Sequence, residues 1–463
     1  MHRRTIAVIA VVALATAACG QKSGVHGESL VASDGGSEEL STGDVAAGDA
    51  AVPGADGGAV EGGSGPAGAT GGSATTPGGA SRPGAATATT ARGTAAALPT
   101  GKVWGDTVTI GIHAPLTGAA PLPAASFERG KDLYAKWIND KGGINGRKLA
   151  VEFLDDEYQP AIAVSKCKQL VEQKKAFMLF GGGGTDQIQA CAQFASQVKV
   201  PYLSAGVTEV GLRRLRYYFA ASMSYPQQAP MLANYIKQNF PGRKVGMVYA
   251  NTKNFYDARD AFTKAMPDAV LYQIARTPSQ SELAQTAQKI CDDATKVVFP
   301  LMAPANYIAL ANQVKGQCGL VQWAGVGITM GLNAVAGTGC QTNQAIDKGI
   351  FFSPSPGEDK AAALDPEFKA AVDKYNNGSF DDIYVLLWGG VKFAAKMIEA
   401  AGKNLTQAGF VQAAEQAKIT TGTFPQVSYS PSDHFGGRQV HVLQLDCAGN
   451  GNKYKTIATN ASY

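Results

Sequence analysis

The sequence predicts an α/β protein in which parallel sheets are covered by helices on both faces. Three observations carry this. From about Lys102 onward, short apolar runs alternate with segments of helical period, and the connections between them are short. The pattern then runs out and restarts, giving two consecutive units of similar size, each with apolar residues for its own core.

In the first unit VTIGIHAP reads as a strand. FERGKDLYAKWINDKGG reads as a helix, with Leu133, Trp137 and Ile138 at core spacing and Gly142-Gly143 as its stop. KLAVEFLDDE is the second strand and AIAVSKCKQLVEQ the second helix. AFMLFGG, DQIQACAQFASQV and VPYLSAG follow as strand, helix and strand. The second unit opens with the helix APMLANYIKQNF. Strands KVGMVYAN, AVLYQIAR, KVVFPLM and LVQWAGVG then alternate with helices YDARDAFTKAM, SELAQTAQKICDD and NYIALANQVKG. Beyond Lys348 a strand, GIFFSP, leads to the helices PEFKAAVDKYNN and YVLLWGGVKFAAKMIEAAG. VSYSPSDHFGGRQVHVLQLD closes the chain as a β-hairpin.

The residues ahead of this body are of another kind. MHRRTIAVIAVVALATAAC places His2, Arg3 and Arg4 before an apolar stretch from Ile6 to Leu14, then small residues and Cys19. That is the layout of a secretory signal peptide over residues 1–18. The apolar stretch is shorter than the roughly 20 residues a spanning helix needs. TAAC resembles a bacterial lipobox, which makes Cys19 the lipidation site, although Leu14 stands five places before the cysteine rather than three. A signal peptide cut elsewhere is the alternative. Residues 19–101 are Gly, Ala, Ser, Thr and Pro with almost no large apolar side chains. Such a stretch buries too little surface to offset chain entropy and reads as a disordered tether with a reach of about 50 Å.

The tether has 3 Lys/Arg against 8 Asp/Glu, whereas residues 101–463 have 36 against 29, with the basic excess dispersed. The densest basic group, Arg213, Arg214 and Arg216, reads as a solvated face, so nothing points to nucleic acid. Apart from Cys19 there are six cysteines, an even number in an exported chain, and no metal-ligand spacing among cysteines and histidines. Cys167 and Cys191 lie in helices flanking one strand, and Cys291 and Cys318 flank another in the same way. The expected bridges are Cys167–Cys191 and Cys291–Cys318, leaving Cys340–Cys447; three or more free buried thiols are the alternative.

Ligands of paired α/β units bind at the carboxyl ends of the strands. Those loops are HAPLTGAAP, DDEYQP, GGGGTDQ and SAGVTE in the first unit, and NTKNFY, MAPAN and GVGITM in the second. GGGGTDQ lacks the lysine of a P-loop and is not GxGxxG. It offers flexible backbone, a helix N-terminus and the Thr185 hydroxyl, which suit a carboxylate or similar small acceptor. A close-packed turn with Asp186 capping the helix is the alternative. Ser204 and Thr208 in SAGVTE offer similar chemistry. Asp155, Asp156 and Glu157 are consecutive and so do not face one another across a substrate; structural capping or hinge packing is their expected role. SPSDHFGG places Ser, Asp and His in one turn, which is not a triad, and no GxSxG elbow occurs. No catalytic residue, metal site or cofactor is expected.

IGIHAPLTG, GGINGRKLAVEFLDDEYQP, LFGGGGT, VPYLSAGVTE and YSPSDHFGGRQVHVLQLD, in this order across 107–447, resemble the type I periplasmic binding proteins. Within them the resemblance is to the branched-chain amino acid-like substrate-binding proteins of ABC transporters. It implies two Rossmann-like lobes joined by a three-segment hinge, with lobe 1 from 102–222 plus 349–430 and lobe 2 from 223–348 plus 431–463. Each expected disulfide would then lie within one lobe. It also implies a small-molecule solute held by Thr185 and by Ser204, Val207 and Thr208, with Tyr256 and Met302 closing over it. Relatives use an acid for the α-ammonium where WAGVGITM offers none. An amino acid would therefore need Asp186 or Glu209 as counter-charge, and otherwise the ligand lacks an amine. The implied function is a receptor anchored to the outer face of the cytoplasmic membrane through Cys19, delivering its solute to an ABC permease. A receptor signalling to another partner would share these features.

Overall fold

The structure, a computed structural model, describes residues 104–118, 120–449 and 451–463. The segments expected to be a signal peptide and a tether, with Cys19, lie outside the described residues. The first sheet contains β1 (Thr107–Ala114), β2 (Lys148–Asp155), β3 (Met178–Gly181), β4 (Tyr202–Ser204) and β5 (Tyr218–Ala220). All its pairs are parallel, in the order β2-β1-β3-β4-β5. β6 (Val245–Ala250), β7 (Val270–Ile274), β8 (Val297–Leu301), β9 (Gln322–Val326) and β10 (Ile350–Ser353) belong to the second sheet. Lys418–Ile419 (β11) and Val427–Ser428 (β12) form a two-stranded ribbon. Val440–Asp446 (β13) and Lys453–Ala461 (β14) complete the second sheet, ordered β14-β13-β10-β9-β8-β6-β7, with β13 and β14 antiparallel to their neighbours.

The apolar runs are buried on both faces because helices cover both. Successive residues of one strand enter different clusters, as the two-residue period requires. Phe180, Leu203 and Phe219 pack with Trp388 and Val391, whereas Leu179, Tyr202 and Tyr218 pack with Ile188 and Cys191. Val298 and Val297 of β8 divide the second lobe in the same way. The helix Asp382–Ala400 is buried nearly all round, as its apolar sequence demands. Its Lys392 is a buried cation, with Nζ 2.8 Å from both Asp365 Oδ2 and Glu367 Oε2. Among the described residues no helix is long and apolar enough to cross a membrane.

The three disulfides form as the sequence pairs them: Cys167–Cys191, Cys291–Cys318 and Cys340–Cys447, with Cα–Cα distances of 6.1, 5.7 and 5.4 Å. Four local readings need correction. FERGKDLYAKWINDKGG is two helices, Ala124–Gly130 and Leu133–Asp140, rather than one. β5 was not anticipated; three residues give too short an alternation to see. β10, which the sequence assigns to lobe 1, stays in the second sheet, parallel to β9 and antiparallel to β13. The chain therefore returns to the first lobe only after Ser353. Finally, β13 does not fold back on VSYS. It pairs with β10 and β14, leaving only isolated bridges Ser430–Asp433 and Val427–Gly437 in the expected hairpin.

Candidate ligand cavity between the lobes

A cavity of about 340 Å³ lies between the carboxyl ends of the two sheets, at the small end for ligand pockets. From lobe 1 it is lined by Tyr158, by Gly183 and Gly184, and by Thr185, Asp186 and Gln187, which open the helix Thr185–Gln197. Phe255, Met302 and Met330 make much of its apolar wall in lobe 2.

The glycine run is explained first by protein neighbours. A Cβ on Gly181 would lie 2.1 Å from both His113 Nε2 and Tyr202 Oη, and one on Gly184 2.0 Å from Gln187 Oε1. Gly183 and Gly184 reach the cavity, while Gly181 and Gly182 press on His113. His113 is fully buried, with Nδ1 2.7 Å from Asp156 Oδ2 and Nε2 2.6 Å from Tyr202 Oη. Asp156 Oδ1 accepts the Tyr158 N–H at 3.0 Å, so this chain of polar groups fixes a residue of the wall. Asp155 likewise accepts the Leu116 and Glu157 N–H groups at 2.9 Å, the capping role expected of these carboxylates.

Of the residues singled out by sequence, Thr185 and Met302 line the cavity. Thr185 is buried and hydrogen-bonded to Tyr225, whose hydroxyl burial pushes up to about 12. Ser204, Val207, Thr208 and Tyr256 lie outside the lining. The Ser204 hydroxyl donates to Ala205 O and sits 2.9 Å from Tyr218 Oη. Val207 O accepts the Tyr225 N–H at 2.7 Å, and Thr208 Oγ1 donates to Asp257 Oδ2 at 2.8 Å. Tyr256 donates to Asn251 and packs under Arg259, while its neighbour Phe255 faces the cavity. His434 of SPSDHFGG stacks on Phe219, with Nδ1 2.8 Å from Tyr218 O, and builds no triad.

Sequence reasoning missed Arg276, Gln187, Tyr225 and His113. Arg276 sits in the loop after β7, which belongs with the strand-end loops. His113 had a visible signal, an ionisable residue inside an apolar strand.

The lobes touch across the cleft. Asp186 pairs with Arg276 through one oxygen and accepts from Asn254 through the other, and Thr329 Oγ1 donates to Gly183 O at 3.2 Å. Glu209 is engaged as well, accepting from Arg213 Nε and from the Ser224 hydroxyl, each at 2.6 Å.

Two titrating groups sit where the lobes join. Burial, with Asp381 and Glu358 nearby, pushes the Asp382 carboxyl up to about 6, although its Oδ2 accepts the Asn333 N–H at 2.7 Å. Burial drives His441 down to about 4, against a 2.8 Å contact with Thr423 O. The signs oppose. The folded state holds the Asp382 proton more tightly than the unfolded chain, so its cost is present above pH 6 and relieved as pH falls towards 4. His441 contributes stability fully above about pH 6.5, and loses it as pH falls towards 4. Asp382→Asn is therefore expected to steepen the loss of stability between pH 6.5 and 4, and His441→Gln to flatten or reverse it. Denaturation midpoints at half-unit pH steps test this; parallel profiles for all three proteins would contradict it.

Residues 107–452 match the family model described as periplasmic binding protein. Leu/Ile/Val-binding protein homolog 3 of Brucella melitensis is 24% identical over 349 residues, covering 73% of this chain and 91% of that protein. Among solved structures, the fatty acid ABC transporter substrate-binding protein from Thermomonospora curvata superposes with a TM-score of 0.64 at 17% identity, covering 79% of this chain and 95% of that one. LivJ, the branched-chain amino acid transporter substrate-binding protein from Streptococcus pneumoniae, in complex with isoleucine, gives 0.62 at 18% identity, covering 76% and 99%. With two parallel-sheet lobes around one cleft and a family match spanning nearly all of the folded body, the chain belongs to the periplasmic binding protein family, with the type I fold, and is a solute-binding protein rather than an enzyme.

Proposed function

We propose that the protein captures a small carboxylate-bearing or amide-like solute in the interlobe cavity and delivers it to an ABC permease. Lipidated Cys19 and the tether would hold it at the outer face of the membrane, where a tether raises its concentration at the permease. One observation carries the reading. The helix N-terminus at Thr185–Gln187, with its free N–H groups and the Thr185 hydroxyl, faces a cavity whose opposite wall is apolar. A solute with an acceptor head and an apolar body fits both walls. Names among the relatives agree in kind, since they include receptors for branched-chain amino acids and for fatty acids. Ser204, Val207 and Thr208 would act from behind the wall, by holding the loop that seats Tyr225.

Thr185→Val removes one hydroxyl and keeps the shape. It is expected to weaken solute binding about tenfold, the worth of one hydrogen bond to a charged acceptor, while leaving the melting temperature of the unliganded protein within a few degrees. Calorimetric titration beside a melting curve measures both. Unchanged affinity would remove Thr185 from the site.

A further inference from the structure

We infer that the solute is an amine-free carboxylate anion, a monocarboxylic acid with an apolar body; this rests on the reading of the cavity as the solute site. Among the described residues lining the cavity the one acid is Asp186, and both its oxygens are engaged, by Arg276 and by Asn254. Three further acids stand behind the wall, outside the lining, and each is engaged: Glu209 by Arg213 and Ser224, Asp257 by the Thr208 hydroxyl and the Glu209 N–H, and Asp156 by His113. An ammonium group entering the cavity would meet a guanidinium and the positive end of a helix, and the one carboxylate in the lining already has its charge paired with that guanidinium.

The donors point the other way. Gln187 lines the cavity and is 1% exposed, and its Nε2 amide has no hydrogen-bond partner. A buried, unpartnered donor costs free energy unless the bound ligand satisfies it. It stands at the helix N-terminus beside the Thr185 and Tyr225 hydroxyls, with Arg276 on the facing lobe. A group of donors at a helix N-terminus, with no acceptor charge of its own left unpaired nearby, favours a full negative charge over a neutral amide. Phe255, Met302 and Met330 leave the rest of the volume to hydrocarbon. Arg276 therefore does two things: it ties the lobes together through Asp186, and it keeps that carboxylate from receiving an amine.

Matched skeletons test this. The purified full-length protein is titrated calorimetrically with leucine, 4-methylpentanoate and 4-methylpentanamide, and with phenylalanine, 3-phenylpropanoate and 3-phenylpropanamide. In at least one set the acid is expected to bind about 100-fold tighter than the amino acid and at least about tenfold tighter than the amide. Arg276→Met frees Asp186 and should shift the preference about tenfold or more towards the amino acid; Arg276→Gln serves if that variant melts early. An amino acid that binds as well as its acid, or a preference unmoved by both Arg276 variants, overturns the inference and leaves the proposed receptor function standing. Equal binding of acid and amide overturns the requirement for charge. Failure of all six compounds to bind overturns the solute class in the proposed function, and this inference with it.

Discussion

Removing the Cys340–Cys447 bridge, as the double alanine variant, is expected to lower folding stability by about 4–5 kcal/mol. The bridge closes a loop with a sequence separation of 107, the longest of the three, and ties the helix Asn333–Thr342 to the end of β13. Both cysteines are buried, and closing so long a loop withdraws a large amount of freedom from the unfolded chain. Cys167–Cys191 spans 24 residues, and the same reasoning gives about 3.5 kcal/mol for its removal. Guanidinium unfolding without reductant ranks the two variants. If the Cys167–Cys191 variant were the less stable, strain or packing rather than loop length would govern the bridges.

Lys392→Met should cost about 3–5 kcal/mol, because it strands a buried carboxylate. Asp365 is 3% exposed, and its Oδ2 receives both the Lys392 ammonium at 2.8 Å and the Trp388 indole N–H at 2.7 Å. Glu367 is half-exposed; against the effect of its burial, the same lysine together with Lys141 holds its carboxyl down at about 2. Adding Asp365→Asn to Lys392→Met removes the uncompensated charge and should restore part of the loss, the rest being the Trp388 indole N–H left facing the asparagine NH2. Asparagine keeps the oxygen that accepts the Glu367 N–H and starts the helix Pro366–Asn376. A single variant within 1 kcal/mol of the parent in urea titration would mean that the ion pair and its desolvation cancel.

The lobes were legible because their strands are continuous apolar runs and their helices carry a 3.6-residue period. These are local signals, and helix-covered parallel sheets leave them unmixed. The membership of β10 was not legible. IFFS is apolar in either lobe, and its place depends on which sheet still offers a free edge when β13 arrives. At the site, Thr185 and Met302 could be found because they sit at the carboxyl ends of readable strands. Phe255 and Tyr256 are adjacent aromatics at the start of the helix Lys253–Ala265, and its rotational phase alone decides which one faces the cavity. The Asp186–Arg276 pair joins the first turn of a helix in one lobe to a loop in the other, 90 residues apart in sequence, and no spacing rule relates them.

The interleaving of the two lobes has a consequence for biosynthesis. A nascent chain emerges N-terminus first, yet the first lobe's core needs Trp388, Val391 and Phe410, and the second sheet needs β13 beside β10 and β14 beside β13. Neither lobe can close until nearly the whole polypeptide has been made. Pairings this distant in sequence also form slowly. The order of the strands thus makes the folding of either lobe wait for the last part of the chain, so a nascent polypeptide stays open for most of its synthesis.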